Sequence, residues 1–416
     1  MTDTVILLEA AEAALRWLHV ITGVAWIGSS FYFIALDLGL RRPSVAPDGV
    51  SGERWQVHGG GFYHIQKYTV APPALPERLV WFKWESYSTW LSGFVLLVWV
   101  YYAGAELYLV DHVRRPLAEP VAIALSLVSL VLGWLVYDRC CRAMGSHDGR
   151  LMIVVFLLLT MAGWLYSELF TGRAALLHLG ALAATFMSAN VFFVIIPNQK
   201  RLVADLEAGR TPDAALGRVA KQRSTHNNYL TLPVLFLMLS SHYPLIFANP
   251  YNWLIASLVF ALGAVIRHFF NSRHAGVGSP WWTWMVAVLL FAAMVGLSQL
   301  GTRQLEPGAA ATPGPSAAHF LEARGGDEVQ LALLMRCVMC HGEHANWPGL
   351  NSAARAVWLD SPERIAIHAR AVYLQAGMSD AMPPGNRTHM TTAERAAIVT
   401  WYRDARARKG RDADES

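Results

Sequence analysis

The sequence predicts an all-α protein in two parts: a polytopic membrane bundle of about eight helices and a small helical domain at the C-terminus. Three observations indicate this fold class. Hydrophobic residues make up 54% of the 416-residue chain, charged residues make up only 15%, and a Pro-, Gly- and Ala-rich segment follows the last apolar run. Together with a mean hydropathy of +0.31, such a composition is typical of membrane proteins and rare in soluble domains.

The membrane spans are predicted from length and hydropathy. A helix that crosses a bilayer needs about 20 mostly apolar residues. Eight stretches approach this length, at residues 12–38, 86–108, 118–138, 151–171, 174–197, 228–248, 251–270 and 281–301.

The positive charges predict the orientation of these spans. Lys and Arg accumulate on the cytoplasmic side of a membrane. One set of loops carries most of them, from Arg41 to Arg273, whereas the other set carries only Arg16, Arg114, Arg115 and Arg173. The first set is therefore predicted to be cytoplasmic. An even number of spans places the C-terminal domain in the periplasm of a bacterial inner-membrane protein.

A weak internal similarity predicts a 4+4 parallel repeat. The segment "LHVITGVAWIGSSFYFI" begins at Leu18, and "LHLGALAATFMSANVFFVI" begins at Leu177. Leu-His opens both segments, and Phe33 aligns with Phe192 in the same register. Because four helices return the chain to its starting side, the two halves are expected to be related by an axis along the membrane normal. Shared apolar composition is the alternative explanation.

The change in composition near the end of the last span sets the domain boundaries. Residues 1–301 form the predicted membrane domain, and residues 302–318 form an extended tether because they have little to bury. Residues 319–416 form a small helical domain. The net charge of +4 is small and no basic stripe is present, which argues against nucleic acid as a partner.

The C-terminal domain carries a Cys337-x-x-Cys340-His341 motif. Two thiols at this spacing attach a c-type haem covalently, and the next histidine becomes an iron ligand. A structural zinc site is the alternative, but zinc requires a second ligand pair, and none follows at a suitable spacing. The motif therefore predicts a periplasmic cytochrome c domain.

A methionine downstream is expected to be the second iron ligand. The segment "GMSDAMPPGNRTHM" offers Met378, Met382 and Met390. Met382 is predicted because the two prolines after it stiffen the backbone that presents its thioether; Met378 is the competitor. Methionine–histidine ligation raises the haem potential and suits an electron acceptor.

Three histidines are candidates for a haem b inside the membrane. His19, His178 and His242 all lie towards the predicted periplasmic ends of their helices. Ionisable groups in a membrane often mark functional sites, and haem b needs histidines on facing helices. Histidines that are hydrogen-bonded to the backbone or to Ser and Thr are the alternative.

The long loop 41–85 is richer in polar and aromatic residues than a simple connector. It contains "HGGGFYHIQKY", with His64 and Lys67, and "WFKWESY", with Lys83 and Glu85. Aromatic faces combined with amide, cationic and carboxylate groups predict a pocket for a flat anionic heterocycle. An interfacial loop whose Trp and Lys lie at headgroup level is the alternative. His226, Asn227 and Asn228 are expected to face the same site.

These segments resemble one protein family along essentially the whole chain. "WIGSSFYFIALD", "HGGGFYHIQKYTVAPPALPERLVWFKWESYSTWLSGF" and the tail CVMCH with MPPGN are similar to the bacterial membrane-bound urate oxidase (urate hydroxylase) family, which joins a helical membrane domain to a cytochrome c. Separately, the segment around His19 is similar to the first helix of haem-b-binding membrane protoporphyrinogen oxidases, which implies that His19 is a haem ligand.

The resemblance implies oxidation of urate, with water, to 5-hydroxyisourate. It implies that the electrons pass through haem c to a soluble cytochrome c or a terminal oxidase of the respiratory chain, so that no hydrogen peroxide forms. Within the loop, we expect Lys67, Lys83 or Arg78 to bind the charge of urate and His64 or Glu85 to activate water.

Two other functions remain open at this point. One is a non-catalytic electron-transfer cytochrome that passes electrons from quinol to cytochrome c. The other is a transporter with a cytochrome sensor, which rests only on the internal repeat.

Overall fold

The protein is described by a computed structural model and is mostly helical. The structure describes residues 2–43, 49–68, 72, 74–111, 114–145, 147–304, 315–347, 353–354, 357–378 and 381–414.

The N-terminal part is a helix bundle with one β-hairpin. Its helices are α1 (Thr2–Leu38), α2 (Trp84–Leu96), α3 (Ala105–Tyr108), α4 (Glu119–Met144), α5 (Asp148–Leu169), α6 (Gly172–Ala189), α7 (Ile196–Glu207), α8 (Ala214–Leu239), α9 (Pro244–Phe247), α10 (Asn252–Ala275) and α11 (Trp282–Gln304). π-Helical segments continue α2 and α6, at Leu97–Tyr102 and Asn190–Ile195, and a 3-10 turn, Ser240–His242, follows α8.

Six of the helices in the described part of the chain are long and apolar enough to cross a membrane. They are Ile6–Leu38, Glu119–Met144, Asp148–Leu169, Gly172–Glu207, Asn252–Ala275 and Trp282–Leu300. Six of the eight predicted spans are therefore confirmed as helices of membrane-spanning length and hydropathy.

The other two predicted spans, 86–108 and 228–248, differ from the prediction. The first corresponds to α2, which ends at Leu96, and to the π-helical segment that continues it to Tyr102. The second is replaced by α8, which starts at Ala214, ends at Leu239 and carries several buried polar residues. These polar residues lower the mean hydropathy of α8, although its apolar side is buried in the bundle.

Helix α6 lies at the centre of the bundle and α1 at its edge. In the most apolar stretch of the helix that begins at Gly172, 72% of the residues are buried, whereas in that of α1 only 6% are buried. The main core packs around α6, with Leu179, Leu182 and Phe186 all almost fully buried. The apolar side chains that α1, α4 and α11 leave exposed, such as Val24, Val131 and Phe291, form the surface that a bilayer would cover.

The prediction of an all-α fold is wrong for the loop 41–85. Strands β1 (Val50–His58) and β2 (Gly61–Tyr68) pair as an antiparallel hairpin. The turn between them is Gly59–Gly60, with φ values of +58° and +80°. Two consecutive residues with positive φ make the turn type that matches the twist of a hairpin, and glycine adopts it without strain. Two adjacent glycines between runs rich in aromatic and β-branched residues were the sequence signal for this hairpin.

The C-terminal part is a separate small helical domain. It contains α12 (Pro315–Leu321), α13 (Gly326–Arg336), α14 (Val338–His341), α15 (Pro362–Ile367), α16 (Ala369–Val372) and α17 (Thr392–Asp414), with a π-helical turn at Tyr373–Gly377 and a 3-10 turn at Pro384–Asn386. Its core includes Leu333, Ile398 and Trp401. At the start of α17, the Glu394 amide donates to Thr391 Oγ1 and the Thr391 amide donates to Glu394 Oε2, a reciprocal capping box.

The predicted tether at 302–318 falls mainly on residues 305–314, which lie outside the described residues. On either side of them, α11 ends at Gln304 and α12 begins at Pro315.

Candidate functional site

The haem-attachment motif lies at the junction of α13 and α14. Cys337 is buried and Cys340 is partly buried, and both thiols are free. The His341 ring donates from Nδ1 to the carbonyl oxygen of Val357 at 3.1 Å. Histidines that bind metal commonly donate their second ring nitrogen to a backbone carbonyl, which fixes the tautomer and the ring orientation. His341 is thus oriented with Nε2 available for iron, and the residues present fit a covalent haem c.

The backbone of Met382 is held on both sides. Its amide donates to the Gln375 carbonyl at 2.8 Å, and its carbonyl accepts from Arg395 Nη1 at 2.8 Å. The Met382 side chain packs partly buried against the core cluster that contains Cys337, whereas Met390 belongs to that core and is only 3% exposed. Met378 is also partly buried.

The C-terminal domain contacts one end of the bundle through charged and aromatic side chains. Arg370 forms an ion pair with Glu9 on α1 and a hydrogen bond with Tyr108 on α3. We call this end of the bundle, marked by Glu9, Tyr108 and Arg173, the docking end. Helix α1 runs from it to the hairpin, and its 37 residues correspond to about 55 Å.

His368 lies at the same contact. Burial, with the nearby His341 ring and the Arg173 guanidinium as further causes, lowers the pKa of His368 to about 4. His368 is therefore neutral at pH 7. His341 and Arg173 both act on His368. Because Arg173 belongs to the first turn of α6, His341 lies close to that turn.

The three histidines proposed for haem b have different neighbours. His19 Nδ1 lies 3.0 Å from the Thr89 carbonyl oxygen, and its ring packs on Gly93, where a Cβ atom would come within 2.8 Å of Cε1. His178 packs instead beside Tyr101, with ring centroids 5.7 Å apart. Gly93 and Tyr101 are about two turns apart on a helix, roughly 12 Å.

His178 and His242 have opposite surroundings. His178 is fully buried and donates from Nδ1 to the Ala174 carbonyl at 2.7 Å. Its Nε2 is buried without a partner, between the rings of Tyr166 and Phe170. His242 is exposed in the turn after α8. A haem b on these histidines stays a prediction, and we derive no electron-transfer step through it.

At the opposite end of α1, the hairpin is anchored to the bundle through charged groups. Lys67 forms an ion pair with Asp37, and Lys221 of α8 pairs with the same carboxylate at 2.8 Å. Because the site is partly buried and the Lys221 ammonium is close, the pKa of Lys67 is lowered. Two lysines on one carboxylate leave a net positive charge here. We call this the hairpin end of the bundle.

His64 makes its contacts within the hairpin. Its Nε2 lies 2.7 Å from Glu53 Oε2, and its ring stacks on Trp55 with centroids 4.3 Å apart. His64 is therefore held against Glu53 and Trp55 of the strand that faces it.

Lys83 and Glu85 lie at the start of α2. The Lys83 ammonium is 5.8 Å from the centre of the Trp84 ring. One carboxylate oxygen of Glu85, Oε2, is buried without a hydrogen-bond partner, which is unfavourable unless a ligand or water satisfies it. The four predicted catalytic side chains therefore lie near the hairpin end, and each has its own surroundings.

A buried polar cluster between α4, α6 and α8 was not predicted as a unit. Arg223, whose side chain is 2% exposed, pairs with Asp138 at 2.7 Å and donates to Asn190 Oδ1 at 3.2 Å. Asn190 donates to the Tyr137 hydroxyl at 2.9 Å, and this hydroxyl lies 2.8 Å from His226 Nδ1. The second ring nitrogen of His226, Nε2, is buried without a partner.

A second buried arginine, Arg267 on α10, lies where α1, α8 and α10 meet. Its Nε donates to Asn228 Oδ1 at 3.2 Å, and its Nη2 donates to Asn271 Oδ1 at 3.0 Å. The ring of Phe31 lies 4.1 Å from the guanidinium carbon. In the sequence, Arg223 and Arg267 counted only as positive charges for orientation. Arg267 lies inside an apolar run, which was its one sequence signal, whereas Arg223 lies in the polar stretch KQRSTHNN and had no such signal.

A zinc site at the haem motif finds no further support. In the part of the chain that the structure describes, no group of three or more His, Cys, Asp and Glu side chains is arranged to hold a metal ion.

Comparison with known protein families gives a match over most of the chain. The family described as urate oxidase N-terminal matches residues 5–298, from α1 into α11. No curated protein and no solved structure matches the chain. The match covers more than half of the 416 residues and includes the hairpin and both buried arginines. It confirms the predicted relationship to urate oxidases, and the chain belongs to the urate oxidase N-terminal family.

Proposed function

We propose that the protein oxidises urate to 5-hydroxyisourate in purine degradation and passes the electrons to its own C-terminal haem c. The observation that carries this proposal is the family match over residues 5–298. In the balanced reaction, urate and water give 5-hydroxyisourate, two electrons and two protons. The electrons continue to a soluble cytochrome c or a terminal oxidase, so no hydrogen peroxide is formed.

We propose an inner-membrane protein with eight spans, in which α2 and α8 cross beside the six apolar helices. The orientation from the positive charges then puts the hairpin end in the cytoplasm and the docking end in the periplasm. This assignment is supported by the contact of Arg370 with Glu9 and of Lys67 with Asp37, since Glu9 and Asp37 lie near opposite ends of α1.

Haem c supplies one-electron acceptance, so each urate requires two successive transfers. Cys337 and Cys340 would hold the haem, and His341 would ligate iron through the nitrogen that Val357 does not engage. Met382 would be the second ligand, which raises the potential and favours acceptance of electrons. The ion pair of Arg370 with Glu9 would keep this domain against the bundle.

At the hairpin end the chain offers groups for binding the anion and removing a proton. Lys67, with Lys83, would attract the urate anion. Glu85, whose Oε2 is buried without a partner, or His64, paired with Glu53, would take the proton from the attacking water. General-base catalysis of this kind typically contributes about 10²- to 10⁴-fold.

An anaerobic titration tests the proposal. The full-length protein, purified with its haem oxidised, is mixed with urate without oxygen while the visible spectrum is recorded. We expect the absorption bands of reduced haem c to appear, with one urate reducing the haem of two protein molecules. If urate leaves the haem spectrum unchanged but a quinol reduces the haem, the result would instead support the electron-transfer cytochrome. Uptake of labelled urate into vesicles without haem reduction would support a transporter.

The distal ligand has its own test. We expect Met382→Ala to remove the methionine-to-iron charge-transfer band of the oxidised haem, because an alanine offers no thioether. Met378→Ala is the matched control and should keep the band. If Met378→Ala removes the band and Met382→Ala keeps it, the ligand assignment moves to Met378.

A further inference from the structure

Arg267 is a buried cation without an acidic partner. The residue is 6% exposed, and both of its hydrogen-bond acceptors, Asn228 Oδ1 and Asn271 Oδ1, are neutral amides. Within the described residues, no carboxylate forms an ion pair with it. A buried charge is costly unless an opposite charge accompanies it. The position is therefore suited to an anion that is supplied from outside the chain.

Asn228 adds an oriented donor to the same place. Its side chain is fully buried, and its Oδ1 accepts from both Arg267 Nε and Asn271 Nδ2. These two bonds fix which end of the amide is oxygen and which is nitrogen. The remaining group, Nδ2, is buried and has no partner, so the amide presents a donor that only a ligand or water can satisfy.

An aromatic ring already covers the guanidinium plane. The partly buried ring of Phe31 lies 4.1 Å from Cζ of Arg267. Guanidinium groups stack on flat π-systems and also donate to an anion in their own plane. With Phe31 on one face of the guanidinium, a flat heteroaromatic anion can accept hydrogen bonds in the guanidinium plane.

The surroundings are positive and reinforce this preference. Arg54 and Arg273 lie close enough to His274 to act on it together with Arg267. Towards the surface, Lys67 and Lys221 share one carboxylate. An excess of positive charge around a cleft raises the local concentration of anions.

We propose that Arg267 and Asn228 bind the substrate of the proposed function, with Arg267 facing the deprotonated edge of a flat purine anion and Asn228 Nδ2 donating to one of its carbonyl oxygens. The inference rests on the proposed urate oxidation for the identity of the ligand. Arg223 is less suited to an external anion, because the fold already provides it with the Asp138 carboxylate, which it shares with Arg142. We call this proposed binding site, formed by Arg267, Asn228 and Phe31 on α10, α8 and α1, the seat. It lies deeper in the bundle than the hairpin residues.

The decisive variant is Asn228→Asp, which supplies the missing carboxylate next to Arg267. We expect this variant to be more thermally stable than the natural protein, because Arg267 gains an ion pair, and to bind urate at least tenfold more weakly, because the position is then neutralised. Arg267→Gln should also weaken binding at least tenfold. Arg150→Gln removes an exposed arginine from α5, away from this site, and should stay within twofold of the natural protein.

Binding and electron transfer are measured separately on the full-length haem-loaded protein. Equilibrium dialysis with labelled urate gives binding, and the half-saturating urate concentration for haem reduction gives function. If Asn228→Asp is stabilised but binds urate normally, Arg267 is structural and the seat is refuted, while haem reduction by the natural protein still supports the proposed function. If the natural protein binds urate through Arg267 but does not reduce its haem, the seat stands and the proposed function fails. No binding to the natural protein refutes the seat.

Discussion

The two buried arginines near the hairpin end of the bundle differ in what neutralises them. Arg223 has a carboxylate, Asp138, at 2.7 Å, whereas the neighbours of Arg267 among the described residues are amide oxygens and a phenyl ring. The ion pair gives Arg223 a counter-charge within the fold and joins α8 to α4, although Arg223 Nε is buried without a hydrogen-bond partner. An unpaired one destabilises the fold until an anion arrives. The difference suggests that the region around Arg223 is architectural and the region around Arg267 binds substrate.

Removing the partner of Arg223 should have the largest effect on stability. We expect Asp138→Ala to lower the free energy of unfolding by about 3–5 kcal/mol, because Arg223 stays buried and loses its counter-charge. Denaturant unfolding of the purified protein in detergent, followed by circular dichroism, measures this loss.

A control is available on the same carboxylate. Arg142 also pairs with Asp138, at 2.7 Å, but its side chain is 71% exposed. Arg142→Gln should therefore cost about 1 kcal/mol or less. If Asp138→Ala is no more destabilising than Arg142→Gln, the distinction between the two arginines does not hold.

The Cys-x-x-Cys-His motif can be identified from the sequence alone because its members are neighbours in the chain, and the haem c it predicts stays a prediction. Cys337, Cys340 and His341 lie within five residues, and the capping of α17 by Thr391 and Glu394 is also local. The contact of Val357 with His341, sixteen residues away, depends on how the intervening segment folds and has no local signal.

Hydropathy predicted the lipid-facing helices better than the helices that carry the polar clusters. The hydropathy of a window averages all faces of a helix, so a helix with polar groups facing the bundle interior scores low. Helix α8 holds Arg223, His226 and Asn228 on buried positions and falls outside the six apolar helices. The helix that hydropathy identifies least well, α8, therefore carries the most candidate functional residues.

The buried clusters could not be assembled from the sequence because their members come from distant segments. Arg267 meets Asn228 across 39 residues, and Lys67 meets Asp37 across 30. Whether a given arginine has a carboxylate beside it is a property of helix packing. The hairpin, by contrast, has a local sequence signal, the Gly59–Gly60 turn. The prediction missed it because the aromatic residues around this turn fit a binding loop as well as a strand.

The smallest expected effect concerns the hairpin end, where Lys67 and Lys221 share Asp37. We expect Lys67→Gln to change the free energy of unfolding by about 1 kcal/mol or less, because the Lys67 side chain is 45% exposed and Asp37 keeps Lys221. The half-saturating urate concentration for haem reduction should rise two- to fivefold at low salt, since one attracting charge is lost.

Salt separates two roles for Lys67, and Lys200→Gln on α7 is the control with the same change of charge. If Lys67 only attracts urate towards Arg267, the difference between Lys67→Gln and the natural protein should disappear at about 1 M salt, where charges are screened within roughly 3 Å. A difference that persists at high salt would mean that Lys67 touches urate directly. In that case the seat would extend from Arg267 to the hairpin, and the contrast between the two arginines would include a third cation.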